Sequence, residues 1–226
     1  MCTVICRWSP GTAVRMLAVR DEFVGRAFDD PGPWWPDQPS VVGGRDRAAG
    51  GTWCACDVAT GVVAVVLNRP ERHVAAAGAA SRGVLPLLAV QYGRHWVDHV
   101  DIAPMASFNL MLASPDALWW WTFDGTTLLS TELGPGTHLA KPRGLVSDPP
   151  EQSLTDPAQW KHLLSRSEPR SDPSGLLVRI ELGDRVYATV FGQVITSAPG
   201  DLVIDHTRTP QRPDTFVTGH WTDQLR

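Results

Sequence analysis

Residues 2–8 read CTVICRW and residues 13–23 read AVRMLAVRDEF, with Ser9-Pro10-Gly11 between them. In the first stretch Cys2, Val4 and Cys6 fall on one face and Thr3, Ile5 and Arg7 on the other, which is the period of a strand. Ser9-Pro10-Gly11 is a turn signal. The second stretch therefore runs back along the first, and the chain opens with a β-hairpin. Arg20-Asp21-Glu22 then lies near the end of the returning strand, in the neighbourhood of Cys2. Removal of Met1 would leave Cys2 with a thiol and a free α-amine on one residue, the smallest activated nucleophile. The amine has an ordinary pKa of about 7.7–8.0 and the thiol about 8.5, so the amine can take the thiol proton near neutral pH. Arg20 would favour the thiolate, and Asp21 could hold the α-ammonium or the thiol. An acyl-transfer site also needs donors for an oxyanion. Asn68, at a strand end in LNRP, and Asn109, in FNL, are the polar candidates. The plainer alternatives are that Cys2 is the first buried residue of a strand and that Asp21 and Glu22 face solvent at a strand end.

Working outward, residues 29–40 (DDPGPWWPDQPS) read as a Pro- and Trp-rich loop that covers something rather than as a strand or helix. VVGGRD (41–46) and GGTWCACD (50–57) carry glycine pairs, which suggest tight turns or close backbone approach. Arg45 and Asp46 are expected to pair and order the GGRD turn, worth about 0–1 kcal/mol if exposed. TWCACDV and VVAVVLNRP make a second hairpin, turning at Ala59-Thr60-Gly61. SRGVLPLLAVQYG (81–93) opens a helix with Ser81 as its cap, and HWVDHVDI continues the helical layer. FNLMLAS, ALWWWTFDG and TTLLSTEL are three successive strands. LTDPAQWKHLLSRS (154–167) is a helix capped by Asp156 or Thr155, with Pro157 just inside its start. Strands follow over 176–182, 186–197 and 202–209, and a further one over 215–221. Strands outnumber helices and helices fall between strand groups, the pattern of an α+β layered domain. The polar stretch at 165–175 links elements of a single domain spanning 1–226.

The chain has 226 residues, 43% of them apolar and 19% charged, and a net charge of -4. That is enough to bury a full core. The scattered basic residues exclude a nucleic-acid partner, because phosphate binding needs clustered Lys and Arg. No apolar run approaches the roughly 18 residues needed to span a bilayer. Arg7, Pro10, Gly11 and Arg15 interrupt any signal-peptide core, so a cytoplasmic location with reduced thiols is expected. Cys2, Cys6, Cys54 and Cys56 could offer four thiolates to zinc, but both pairs sit in strands rather than knuckle turns. Burial of Cys6, Cys54 and Cys56 is the expectation, and no metal site. His95 and His99 have i,i+4 spacing without the H-E-x-x-H pattern, and no G-x-S-x-G, Walker A or G-x-G-x-x-G pattern occurs. Of the ten tryptophans, Trp119 and Trp121 share one strand face and Trp120 takes the other. Core packing accounts for them. The functional alternative is an aromatic wall for a flat or greasy ligand, with Trp34 and Trp35 as a lid and Trp53 and Asn109 as further substrate-binding residues.

Several short strings occur in an order that resembles one family: MC at the start, VRDE at 19–22, GGRD at 43–46, GGTW at 50–53, LNRP at 67–70, SRG at 81–83, FNL at 108–110 and GLVSD at 144–148. They resemble the NRDE family, that of the transport and Golgi organisation protein, over roughly residues 1–200. The resemblance implies a four-layer αββα sandwich like that of N-terminal nucleophile hydrolases, with two antiparallel sheets flanked by helices. The MCT start is also similar to choloylglycine hydrolases and penicillin V acylases, in which a terminal cysteine cleaves a linear amide. By that resemblance Cys2 is the nucleophile, Arg20 and Asp21 are its catalytic neighbours, and Asn68 is an oxyanion or positioning residue. The implied activity is an amidohydrolase or acyltransferase acting on a small acyl or amide substrate, with no cofactor required. Two positions depart from the family pattern: Val19 stands where the signature has Asn, and Gly144-Leu145-Val146-Ser147 where it has G-L-S-N. The alternative is a non-catalytic protein of the same fold that binds and traffics haem, a lipid or an acyl-CoA, with Cys2, His73, His95 or His99 as iron ligands.

Overall fold

The computed structural model describes residues 2–70, 75–146, 155–172 and 175–222. Met1, the side chain of Cys2, His73 and Ser147 lie outside what it describes. The opening hairpin is formed by β1 (Cys2–Trp8) and β2 (Val14–Phe23). They pair antiparallel, with Cys2 opposite Arg20 and Cys6 opposite Met16.

The chain then leaves this hairpin and builds a complete second sheet. Its seven strands are β3 (Phe28–Gly32), β4 (Val41–Asp46), β5 (Cys54–Asp57), β6 (Val62–Asn68), β7 (Phe108–Ala113), β8 (Leu118–Phe123) and β9 (Leu128–Leu133), and they lie side by side in chain order. The rest of the chain returns to the hairpin and widens it on both sides. β10 (Gly136–Lys141) pairs with β1, and β11 (Gly144–Val146) with β10. On the other side, β13 (Arg185–Ala198) pairs with β2 and carries both β12 (Arg179–Leu182) and β14 (Asp201–Thr207), with β15 (Val217–Thr222) beyond.

Alternation along each strand decides what meets what. Val4, Cys6, Val14 and Met16 point from the first sheet into a core shared with Cys54, Cys56, Val65, Leu67 and Trp120 of the second. The intervening residues Ile5, Leu17 and Val19 point the other way, onto Trp160 and Leu164 of helix α2 (Trp160–Arg166). The outer face of the second sheet, through Ala64, Val66, Leu110 and Trp121, packs on Leu85, Ala89 and Val90 of helix α1 (Leu85–Tyr92). Each fully buried aliphatic or aromatic side chain contributes roughly 1.5–3 kcal/mol. The WWW run divides as its period demands. Trp120 enters the core between the sheets, while Trp119 and Trp121 stack at 5.9 Å on the helix side.

Both helices are shorter than the sequence pattern suggests, and each starts from a 3-10 turn. The Ser81 hydroxyl accepts the Gly83 N–H at 3.2 Å and opens the turn Arg82–Val84 that leads into α1. Pro86 sits in the first turn of α1, where an N–H would lack a helical partner anyway. The segment expected to extend this layer is a 3-10 turn over Gly93–His99. Asp156 accepts the Ala158 N–H at 3.0 Å, as its capping position predicts, and precedes the turn Pro157–Gln159.

Four strands depart from the expectation. The loop expected over 29–40 begins as β3, which pairs with β4 through a register shift. The strand expected from 176 is regular only from Arg179. β10 and β11 lack a strand pattern because GTHLAK and GLV are glycine-led and partly exposed. No helix among the described residues is long and apolar enough to cross a membrane.

Candidate active site

The carboxyl end of β2 opens on a cavity of about 460 Å³. Arg20, Asp21 and Glu22 form one wall, Asp46 and Asn68 of the second sheet with Trp53 just before β5 another, and Arg185 and Tyr187 of β13 close a third side. Arg20 is buried although it carries a permanent charge. Its Nη2 lies 2.9 Å from Asp46 Oδ2 and 3.6 Å from Glu22. Its guanidinium lies over two rings, 4.7 Å from the Trp53 centroid and 5.1 Å from that of Phe28. Such stacking suits the planar, weakly hydrated guanidinium.

Gly44 makes this arrangement possible, since a Cβ there would stand 2.3 Å from the Trp53 ring. Asp46 also receives Nε and Nη2 of Arg26 at 2.7 and 3.1 Å and the N–H groups of Ala48 and Ala49 at 3.0 Å. Burial works against its charge. The hydrogen bonds from Arg26 and Ala49, with the charges of Arg26 and Arg20, still hold the Asp46 carboxyl below its usual range.

The expected Arg45–Asp46 pair does not form. Neighbouring residues on a strand point to opposite faces, so Asp46 turns to Arg20 while Arg45 pairs with Asp29 at 2.7 Å.

Asp21 belongs to the other face of β2 and is buried too. Its Oδ1 accepts the Thr189 hydroxyl at 2.5 Å, and its backbone carbonyl accepts the Tyr187 hydroxyl at 2.8 Å. Burial pushes the Asp21 carboxyl up to about 6, against the opposing pull of the amino-terminal charge, the Thr189 hydrogen bond and Lys141.

The two asparagines have different surroundings. Asn68 pairs through its backbone with Phe108 and lines the cavity, and its side chain makes no hydrogen bond among the described residues. Asn109 is wholly buried away from the cavity lining. Its Oδ1 accepts Arg69 at 3.0 Å and Thr122 at 3.1 Å, while its Nδ2 donates to the Pro142 carbonyl at 3.0 Å. It therefore ties the second sheet to the end of β10. Trp53 lines the cavity, but Trp34 and Trp35 do not. The Trp34 indole N–H donates to Asp30 O at 2.9 Å under Arg45, and that of Trp35 to Gly50 O at 3.1 Å.

The other candidate ligands lie elsewhere. His95 and His99 are exposed on the turn after α1, with the His99 ring stacked 3.5 Å from Tyr92. Cys6, Cys54 and Cys56 are buried free thiols, and burial pushes Cys6 up to about 12. No cluster of three or more metal-ligating side chains occurs among the described residues.

Five of the short strings singled out in the sequence, VRDE, GGRD, GGTW, LNRP and SRG, contribute to the lining of this cavity. VRDE reaches GGRD through Arg20 and Asp46. GGTW reaches SRG through Thr52 N–H to Gly83 O at 2.9 Å. A Cβ on Gly51 would stand 2.5 Å from the Gly83 backbone. LNRP reaches FNL through Arg69 and Asn109. A family model described as Transport and Golgi organisation 2 matches residues 1–139. The chain belongs to that family. A search of curated proteins returns no match. The Transport and Golgi organisation 2 match takes in Arg20, Asp46, Trp53, Asn68 and Arg82. Tyr187 and Thr189, which complete the surroundings of Asp21, lie beyond it. Asp46 lay in a quoted string, and its partner across the sheets was the missing information.

Proposed function

We propose that the chain is an amidohydrolase or acyltransferase with an N-terminal cysteine nucleophile, built on the four-layer fold of that hydrolase class. The observation that carries this reading is the pairing of the Cys2 backbone with Arg20, itself a wall of the cavity. A volume of about 460 Å³ suits a small molecule. The helix packed on the outer face of each sheet supports the four-layer assignment.

After removal of Met1, the Cys2 α-amine takes the Sγ proton and the thiolate attacks the carbonyl carbon of a linear amide. A C–S bond forms, the C–N bond breaks, and the proton leaves with the amine. Water then attacks the thioester, returning the thiol and a carboxylic acid; an amine or alcohol in place of water gives acyl transfer. Arg20 favours the thiolate, Asp21 holds the α-ammonium, and the Asn68 amide donates to the oxyanion.

Intact mass of the protein purified from cells, with and without a panel of acylated amines, tests this reading. Loss of Met1 and an acyl adduct absent from Cys2→Ala are expected. Turnover that survives Cys2→Ala, or retention of Met1 on the folded protein, overturns it.

A further inference from the structure

Thr189 and Phe191 are two positions apart on β13, so regular alternation would put them on one face. A bulge separates them: Thr189 stands opposite Asp21 and Phe191 opposite Arg20. Phe191 enters the core between the sheets, and Thr189 turns instead to Asp21. Bulges that re-aim one side chain recur beside active sites.

A second observation fixes what Thr189 does there. Val178 grips it from both sides, its N–H donating to Thr189 Oγ1 at 2.9 Å and its carbonyl accepting the Thr189 N–H at 2.8 Å. With Oγ1 already accepting, the single hydroxyl proton is directed to Asp21 Oδ1.

We propose that Thr189, clamped by Val178, is a positioning residue that orients the Asp21 carboxyl at the cavity. Thr189 acts through Asp21 and not on substrate, and its catalytic relevance rests on the reading of Asp21 given above. Lys141 from β10, Tyr187 from β13 and the amino-terminal charge also bear on Asp21, while Arg20 and Glu22 engage Asp46 and Arg26 from the opposite face of β2.

The test is a pH titration of the Asp21 carboxyl carbon by NMR in the full chain, assigned by its loss in Asp21→Asn. Thr189→Val and Thr189→Ala remove the directed proton, so the midpoint is expected to rise by about one pH unit. Thr189→Ser keeps both bonds and is expected to titrate with the wild type. A folded Val or Ala variant with the wild-type midpoint, or a Ser variant displaced like them, overturns the clamp. Where an acyl substrate turns over, the acid limb of kcat/KM moves with the midpoint. If no acyl substrate turns over and the midpoint still moves, the clamp stands and the hydrolase reading falls.

Discussion

Arg20 and Asp46 are 26 residues apart in the chain and 2.9 Å apart in space. The contact joins β2 of the first sheet to β4 of the second at the cavity wall. Arg20 is buried and Asp46 partly so, and removing the carboxylate leaves the Arg20 charge undercompensated, a loss of up to about 3 kcal/mol. Asp46→Asn is therefore expected to lower the urea midpoint strongly, with Glu22 at 3.6 Å as the remaining acid near Arg20. An unchanged midpoint would contradict the pair.

Asp21 gives the stability a sign with pH. Its carboxyl titrates in the fold at about 6, above its usual 3.8. The folded state therefore binds more protons between those values, and its contribution is present below the lower one and lost as pH rises through the upper. Asp21→Asn is expected to raise stability at pH 7.5, by up to about 3 kcal/mol, and to change little at pH 3.5. Urea denaturation at both pH values measures this. Equal effects at the two would refute the raised titration.

Gly44→Ala drives a Cβ into the Trp53 ring, which supports Arg20. A loss of about 1–3 kcal/mol is expected from such overpacking. Gly50→Ala serves as the control for backbone strain alone, because its Cβ meets nothing within 4 Å and its φ is +73°. Thermal melts of the two should separate crowding from conformation.

Asn109 and Asn68 should part company under mutation. Asn109→Ala leaves buried partners unsatisfied on two sides and is expected to cost about 1–3 kcal/mol. Asn68→Ala should melt with the wild type. On the proposed chemistry it slows turnover by about 10²–10³-fold. The reverse pattern would exchange their roles.

The thiols of Cys6, Cys54 and Cys56 are expected to resist alkylation at pH 8 in the native protein and to react on unfolding. Burial holds Cys6 in its unreactive protonated form. Mass mapping of iodoacetamide adducts reads this directly, and native labelling of Cys56 would show that the inter-sheet core opens.

Much of this architecture was legible because alternation is a local property. CTVICRW and WWW each declared two faces, and each has a packed layer on both sides. The hairpin also brought Cys2 to Arg20 on local grounds alone. The adjacency of Arg45 and Asp46 misled, because neighbours along a strand diverge. Trp34 and Trp35 suggested a lid by composition, but their indoles are engaged by nearby backbone carbonyls. Thr189 was illegible, because its role depends on a bulge and on a partner 168 positions away.

The first sheet has its oldest strands at its centre and its youngest at its flanks. During synthesis the β1–β2 hairpin emerges first and waits, both edges unpaired, while the whole second sheet is made. β2 gains its long partner only when β13 leaves the ribosome, and the same strand delivers Tyr187 and Thr189 to Asp21. Exposed strand edges invite pairing with other chains. A nascent or truncated chain that ends before β13 thus has a sticky hairpin and an unfinished cavity, and completing one completes the other.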